Sequence, residues 1–245
     1  MTHDGILIVN KPKGITSFDV IRKLRKLLNI KKMGHTGTLD PLAEGVLPIF
    51  IGKATKEITG YLAGDKGYVA EMTLGIRTDT LDSEGKIIDQ RPKTRDQRPA
   101  AKGNHPLNQQ LEQLLPKYIG QIEQLPPMYS AVHHKGKRLY ELARQGKTVE
   151  RKPRNITIHS IKVLETTDGE FPKVKLEVLC SKGTYIRQLI SDIGDDLGCG
   201  AHMSALTRII SAPFHLSQAF TLDAIEDLAK IGKVDTIVLK VDSLK

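Results

Sequence analysis

The chain has 245 residues, 39% of them hydrophobic, enough for one substantial catalytic core with room for a small appendage. Thirty-seven Lys and Arg against 28 Asp and Glu leave a formal charge of +9, which favours a polyanionic partner over a small acidic metabolite because each neutralised phosphate releases a counterion. Two cysteines outside any C-x-x-C pair argue against a disulfide framework or zinc site, and with no charged-then-apolar leader and no run of about 18 apolar residues a cytoplasmic location away from membranes is expected.

Residues 5–10 form a short apolar run closed by Lys11-Pro-Lys-Gly14, the pattern of a buried strand entering a turn. Thr16-Ser-Phe-Asp19 follows the S/T-x-x-D/E capping pattern, and Val20, Ile21, Leu24, Leu27 and Leu28 recur at helical spacing. Arg22, Lys23, Arg25 and Lys26 occupy the other face, as solvated charge or as a nucleic-acid contact. Residues 68–75 alternate as a half-buried strand, and Asp82-Ser-Glu-Gly85 predicts a hairpin turn before Lys86-Ile-Ile88. Residues 91–106 are basic, Pro-punctuated and poor in large apolar side chains, which predicts a mobile loop. Strand alternation returns over 156–165 and 174–180. Residues 185–197 then place Ile186, Leu189, Ile190, Ile193 and Leu197 on one helical stripe, and 222–229 form an amphipathic helix. Strands outnumber helices and neighbours look hairpin-joined, so the expectation is an α+β fold on a mixed, mainly antiparallel sheet.

The stretch Gly34-His-Thr-Gly-Thr-Leu-Asp-Pro-Leu-Ala-Glu-Gly-Val-Leu-Pro-Ile49 is the most unusual. Its glycines and prolines force an irregular path, and Asp40 before Pro41 is held out of helical backbone space. Asp-Pro alone is also how an ordinary helix begins, with Asp as N-cap and Pro at the first position. His35, Thr36, Thr38 and Asp40 together, polar groups on a rigid turn, argue for a site. Other chemistries fit poorly. Gly52-Lys53 lacks both the earlier glycine and the following Ser/Thr of a phosphate loop, Glu84 replaces the glycine an EF-hand requires over 79–90, and adjacent His133 and His134 on a strand point to opposite faces.

That string resembles the signature of the bacterial TruB family of tRNA pseudouridine synthases. The resemblance extends to Lys66-Gly-Tyr68, Gln124-Leu-Pro-Pro-Met-Tyr-Ser-Ala131, Gly136-Lys-Arg-Leu-Tyr140 and Ser181-Lys-Gly-Thr-Tyr-Ile-Arg187, in family order across roughly residues 5–210. It implies a pseudouridine synthase-like fold, its central sheet flanked by helices and carrying a thumb-like insertion. It also implies an enzyme that isomerises uridine in the T loop of tRNA, position 55, by flipping the base out. Asp40 would be the nucleophile. Arg187 would be its cationic partner, expected in the first helical turn off the apolar stripe. Tyr68 and Tyr185 would sandwich the uracil, with Tyr68 also a proton acceptor. Leu206 would line the pocket, and His35 would fill the space left by flipped bases. Thr207 stands where the family often has Arg, and His133 where Lys is common.

The same resemblance implies a catalytic domain over 1–214 and a thumb over 118–154 that grips the T-arm backbone through Lys135, Lys137, Arg138 and Arg144. The C-terminal segment, 215–245, would be a shortened or absent accessory RNA-binding module. No metal or cofactor is expected, and the partner is the tRNA T arm, with a monomer that needs no obligate protein partner. A noncatalytic RNA-binding protein and an RNA-guided relative remain as alternatives, and tritium release from C5-labelled uridine in tRNA, with and without guide RNA, separates them.

Overall fold

A computed structural model describes residues 4–91 and 106–241. Nearly all of the loop expected over 91–106 therefore lies outside the described residues. From the N-terminus run β1 (Gly5–Lys11), α1 (Ser17–Leu28), β2 (Met33–His35), β3 (Glu44–Ile51), α2 (Ile58–Tyr61), β4 (Lys66–Leu74), β5 (Ile76–Thr78) and β6 (Ile87–Gln90). There follow α3 (Leu107–Leu114), β7 (Gly120–Gln124), β8 (His133–His134), β9 (Lys137–Arg138), α4 (Leu139–Arg144), β10 (Arg154–Thr167) and β11 (Lys173–Cys180). The last elements are α5 (Ile186–Asp196), β12 (Ala201–Ser211), β13 (Phe214–His215), α6 (Leu222–Lys230) and β14 (Val238–Leu239). The chain packs as two compact units, one of Met1–Tyr68 with Leu206–Lys245 and the other of Val69–Ala205.

In the first unit the strand order is β14-β1-β3-β12, with β2 also on β3 and β13 also on β12. β1 and β3 pair antiparallel from Gly5↔Ile51 to Lys11↔Gly45, whereas β3 meets β12 in parallel at Thr207↔Glu44 and Arg208↔Gly45. Both faces of β1 and β3 are covered, which explains their near-continuous apolar runs. On one face Leu7, Val9, Leu47 and Ile49 pack with Val20, Ile21 and Leu24 of α1 and Ile225 of α6; on the other, Ile6, Ile8, Val46 and Phe50 pack with Phe214. The capping box is present. Thr16 Oγ1 accepts from Asp19 N–H at 3.0 Å, the Asp19 carboxylate accepts from Thr16 N–H at 3.0 Å, and Asn29 in the left-handed region ends the helix.

In the second unit β4, β11, β10 and β7 lie in that order. β10 pairs antiparallel with β11 and with β7. Along β11, Val174, Leu176, Val178 and Cys180 are buried, as the period-2 pattern requires. β5 and β6 form the expected hairpin, and α5 buries Ile186, Leu189, Ile190 and Ile193. Among the described residues the strand pairings of defined register are antiparallel except β3 with β12, and two isolated bridges, Val9↔Phe220 and Asp82↔Met203, are parallel, so the α+β fold on mixed, mainly antiparallel strands is as expected. Among the described residues no helix is long and apolar enough to cross a membrane.

Candidate active site

Asp40-Pro41 does not begin a helix. β2 ends at His35, residues 36–43 are irregular, and the Asp40 carbonyl accepts from Ala43 N–H at 3.0 Å, closing a single turn just before β3. The helix-cap explanation of this half-buried aspartate is thereby removed. What holds the turn is the β1–α1 connection. Ser17 Oγ accepts from Leu39 N–H at 2.8 Å and donates to Leu39 C=O at 3.2 Å, and Gly14 N–H donates to Pro41 C=O at 2.8 Å. Lys11, fully buried, directs its ammonium at the carbonyls of Pro12, Ile15 and Pro41. Two turns distant in sequence are thus locked residue to residue around Asp40.

Arg208, which the sequence reading passed over, runs through the middle of this stretch. It is 1% exposed, donates from Nε to Val46 C=O at 2.8 Å and from Nη2 to Gly37 C=O at 3.1 Å, and is hydrogen-bonded to the Tyr68 side chain. It explains two of the glycines. Gly37 has φ +79, and a Cβ there would meet Arg208 Nη1 at 3.3 Å; Gly45 has φ +105, and a Cβ there would run into the Arg208 backbone carbonyl. Burial pulls the Arg208 guanidinium below its ordinary pKa, opposed by Tyr68. The only local signal was an Arg at an alternate, inward position of a strand, a place where a charge costs most unless its donors are satisfied.

Tyr68 and Leu206 are buried and His35 is half-buried. His35 Nδ1 and Thr36 Oγ1 are buried without hydrogen-bond partners among the described residues. Burial first, then the Arg208 charge, holds His35 below the usual histidine range, which favours neutral imidazole at pH 7.

Arg187 and Tyr185 lie in the second unit, at the start of α5. Arg187 is off the apolar stripe, yet it is buried: Nη2 donates to Tyr129 C=O at 2.7 Å and Nη1 lies 3.5 Å from the buried Asp82 carboxylate. Tyr185, half-buried, is held by its backbone. Gln124 Oε1 accepts from Tyr185 N–H at 2.8 Å and Gln124 Nε2 donates to Tyr185 C=O at 3.0 Å. Asp82 and Gln124, which hold Arg187 and Tyr185 in this way, are residues that the sequence reading did not single out. Lys135, Lys137, Arg138 and Arg144 are all exposed. Three of them sit on the β8–β9 hairpin, whose turn residues Lys135 and Gly136 both have positive φ, as the twist-matched two-residue turn demands.

Asp40, His35, Tyr68 and Leu206 thus belong to the first unit, and Arg187, Tyr185 and the exposed basic residues to the second. The first offers a carboxylate on a braced turn and a phenol bonded to a guanidinium; the second offers a guanidinium anchored at two of its nitrogens.

Residues 25–186 match the family model of the TruB family pseudouridylate synthase (N terminal domain), and residues 187–244 that of the tRNA pseudouridylate synthase B C-terminal domain. The chain is 46% identical over 235 residues to tRNA pseudouridine synthase B of Francisella philomiragia subsp. philomiragia, covering 96% of this chain and 74% of that one. It is also 46% identical over 234 residues to the protein of the same name from Francisella tularensis subsp. novicida, with the same coverage. Among solved structures it is similar to a chain of a Cbf5-Nop10-Gar1 complex, with TM-score 0.72 and 31% identity over 97% of this chain. A second is an H/ACA RNP bound to a substrate RNA containing 2'-deoxyuridine, with TM-score 0.69 and 29% identity over 98% of this chain. The chain spans 60% of the length of both.

Proposed function

Because this chain belongs to the TruB family of pseudouridylate synthases, we propose that it isomerises uridine to pseudouridine in tRNA, at position 55 of the T loop, after flipping that base from its stack. The observation that carries the reading is Asp40 on a turn braced by Ser17, Lys11 and Arg208. So much buried hydrogen bonding around one aspartate that caps no helix suits a group whose carboxylate must be placed precisely.

The reaction breaks the bond from sugar C1′ to uracil N1, turns the uracil, and joins C1′ to C5; N1 gains a proton and C5 loses one, and the one-electron drop in formal oxidation state at C1′ is matched by the rise at C5, so the isomerisation is redox-neutral overall and its steps call for neither metal nor cofactor. The Asp40 carboxylate opens it, by attack on C1′ or C6 or by promoting a glycal. Tyr68, whose side chain is hydrogen-bonded to the buried Arg208 guanidinium, takes the C5 proton. Arg187 supplies fixed positive charge to the reaction. Tyr68 and Tyr185 stack on the flipped uracil, each stack offsetting part of the unstacking cost at about 1–3 kcal/mol. Leu206 lines the pocket and His35 fills the space vacated in the loop. Residues 118–154 act as the thumb, with Lys135, Lys137, Arg138 and Arg144 on the T-arm backbone, within a catalytic domain over 1–214. The enzyme works in the cytoplasm as a monomer, without an obligate protein partner or guide RNA.

Tritium release from C5-labelled uridine in tRNA tests this. The unaccompanied chain should release tritium without any guide, and Asp40→Asn should release none while binding tRNA within about tenfold of wild type, since Asn is uncharged but nearly isosteric. Release by Asp40→Asn under single-turnover conditions would remove the nucleophile assignment. Release by the wild type only with a guide RNA would favour the guided reading instead.

A further inference from the structure

Between Lys11 and Lys32 the chain carries eight Lys and Arg and one acidic residue, Asp19, in a protein whose whole charge is +9. Lys11 is occupied with internal carbonyls, and Asp19 with the capping box and with Arg22 at 2.7 Å. Lys13, Lys23, Lys26, Lys31 and Lys32 are all exposed, and among the described residues none has a carboxylate at ion-pair distance. Phe18 is 60% exposed, one turn from Arg22 and two from Arg25, whose guanidinium carbon lies 6.0 Å from its ring centroid. The buried Val20, Ile21 and Leu24 fix the opposite side of the helix.

This face is rigidly tied to the reacting carboxylate. Ser17, the first residue of α1 and the neighbour of Phe18, exchanges both of its hydrogen bonds with Leu39, the neighbour of Asp40. Any polymer that delivers a nucleotide to Asp40 has its adjoining backbone near the start of α1. A twelve-residue helix is about 18 Å long, so the lysines extend away from that point over several phosphates. We propose that this face, with Phe18, Lys13, Lys23, Lys26 and Lys31, is a second docking surface for the phosphate backbone of the substrate RNA, apart from the thumb. The proposal rests on the RNA-modifying function above. Strongly hydrated lysines without acidic partners suit phosphate oxygens, whereas a single exposed aromatic is too little apolar surface for a membrane.

The variant K23Q/K26Q/K31Q removes three charges while Gln keeps the helix propensity. Its tRNA affinity, followed from 50 to 300 mM salt, should give a log–log slope flatter by about two to three units, with tritium release at saturating tRNA within about twofold of wild type. Phe18→Ala should weaken binding by about fivefold or more and leave the slope unchanged. K86Q/K162Q/K173Q, which removes the same charge from exposed positions elsewhere, should change the slope by less than about one unit. An unchanged slope in the first variant, or equal flattening in the third, overturns the proposal. If the wild type releases tritium in either case, the catalytic reading stands and only the α1 surface falls; a wild type that neither binds nor converts tRNA removes both.

Discussion

Replacing Arg208 by Lys keeps a positive charge but loses the planar fork that reaches Val46 C=O, Gly37 C=O and Tyr68 at once. An ammonium on a flexible stem can satisfy one of the two carbonyls. The other stays buried and unpaired at about 1–3 kcal/mol, and the charge-assisted bond to Tyr68 is worth a further 1.5–3 kcal/mol, roughly. A loss of about 3–5 kcal/mol should lower Tm by on the order of 10 °C for a chain this size. The effect on catalysis follows from geometry. Gly37 lies three residues before Asp40, and release of its carbonyl lets the carboxylate drift, where a displacement of about 1 Å costs on the order of a hundredfold in rate. Calorimetry would measure the first effect, and single-turnover tritium release at saturating tRNA the second, with tRNA affinity expected within about threefold of wild type. Arg208→Met should destabilise as well, and removing the charge should move the His35 titration, followed by NMR, upward while burial still holds it below the ordinary histidine value. A Lys variant that loses stability but reacts at the wild-type rate would refute the link between the fork and the carboxylate.

Arg187→Lys should cut the chemical rate far more than RNA affinity, because the fork now held by Tyr129 C=O and Asp82 cannot be reproduced by an ammonium; lost affinity with an intact rate would make it a phosphate contact. Replacing Lys135, Lys137 and Arg138 together with Gln should flatten the salt dependence of tRNA binding by roughly two to three units, and an unchanged slope would withdraw the thumb assignment. His35 gives a pH prediction. Its folded pKa lies below the unfolded value of about 6.5, so the unfolded chain binds the extra proton first. The stabilisation is complete above about pH 6.5 and is lost as pH falls through the lower folded value, so His35→Gln should show a smaller fall in Tm than wild type between pH 7.5 and 5. Equal falls in both proteins would show that the ring titrates alike folded and unfolded.

Amphipathic period and capping chemistry are properties of a few neighbouring residues, so β1, α1, β4, the β10–β11 pair and α5 were all legible from the sequence, down to Thr16 and Asp19 as a capping box. The Asp40 string was legible as something built rather than as ordinary loop, because glycine and proline restrict the backbone wherever they occur. Whether its aspartate capped a helix could not be read locally: a helix cap and a braced turn begin with the same Asp-Pro pair. That choice was made by Ser17, which holds Leu39 from 22 residues before it, and by Arg208, 171 residues after Gly37. Asp82 shows the same limit. Its four-residue context reads correctly as a hairpin turn, yet its carboxylate lies beside Arg187, 105 residues on. Contacts over such separations leave no period in the chain. They follow from strand register, from β3 meeting β12 in parallel at Gly45 and Arg208, and a one-residue slip there would turn the guanidinium to the opposite face and leave the Asp40 turn without its clamp.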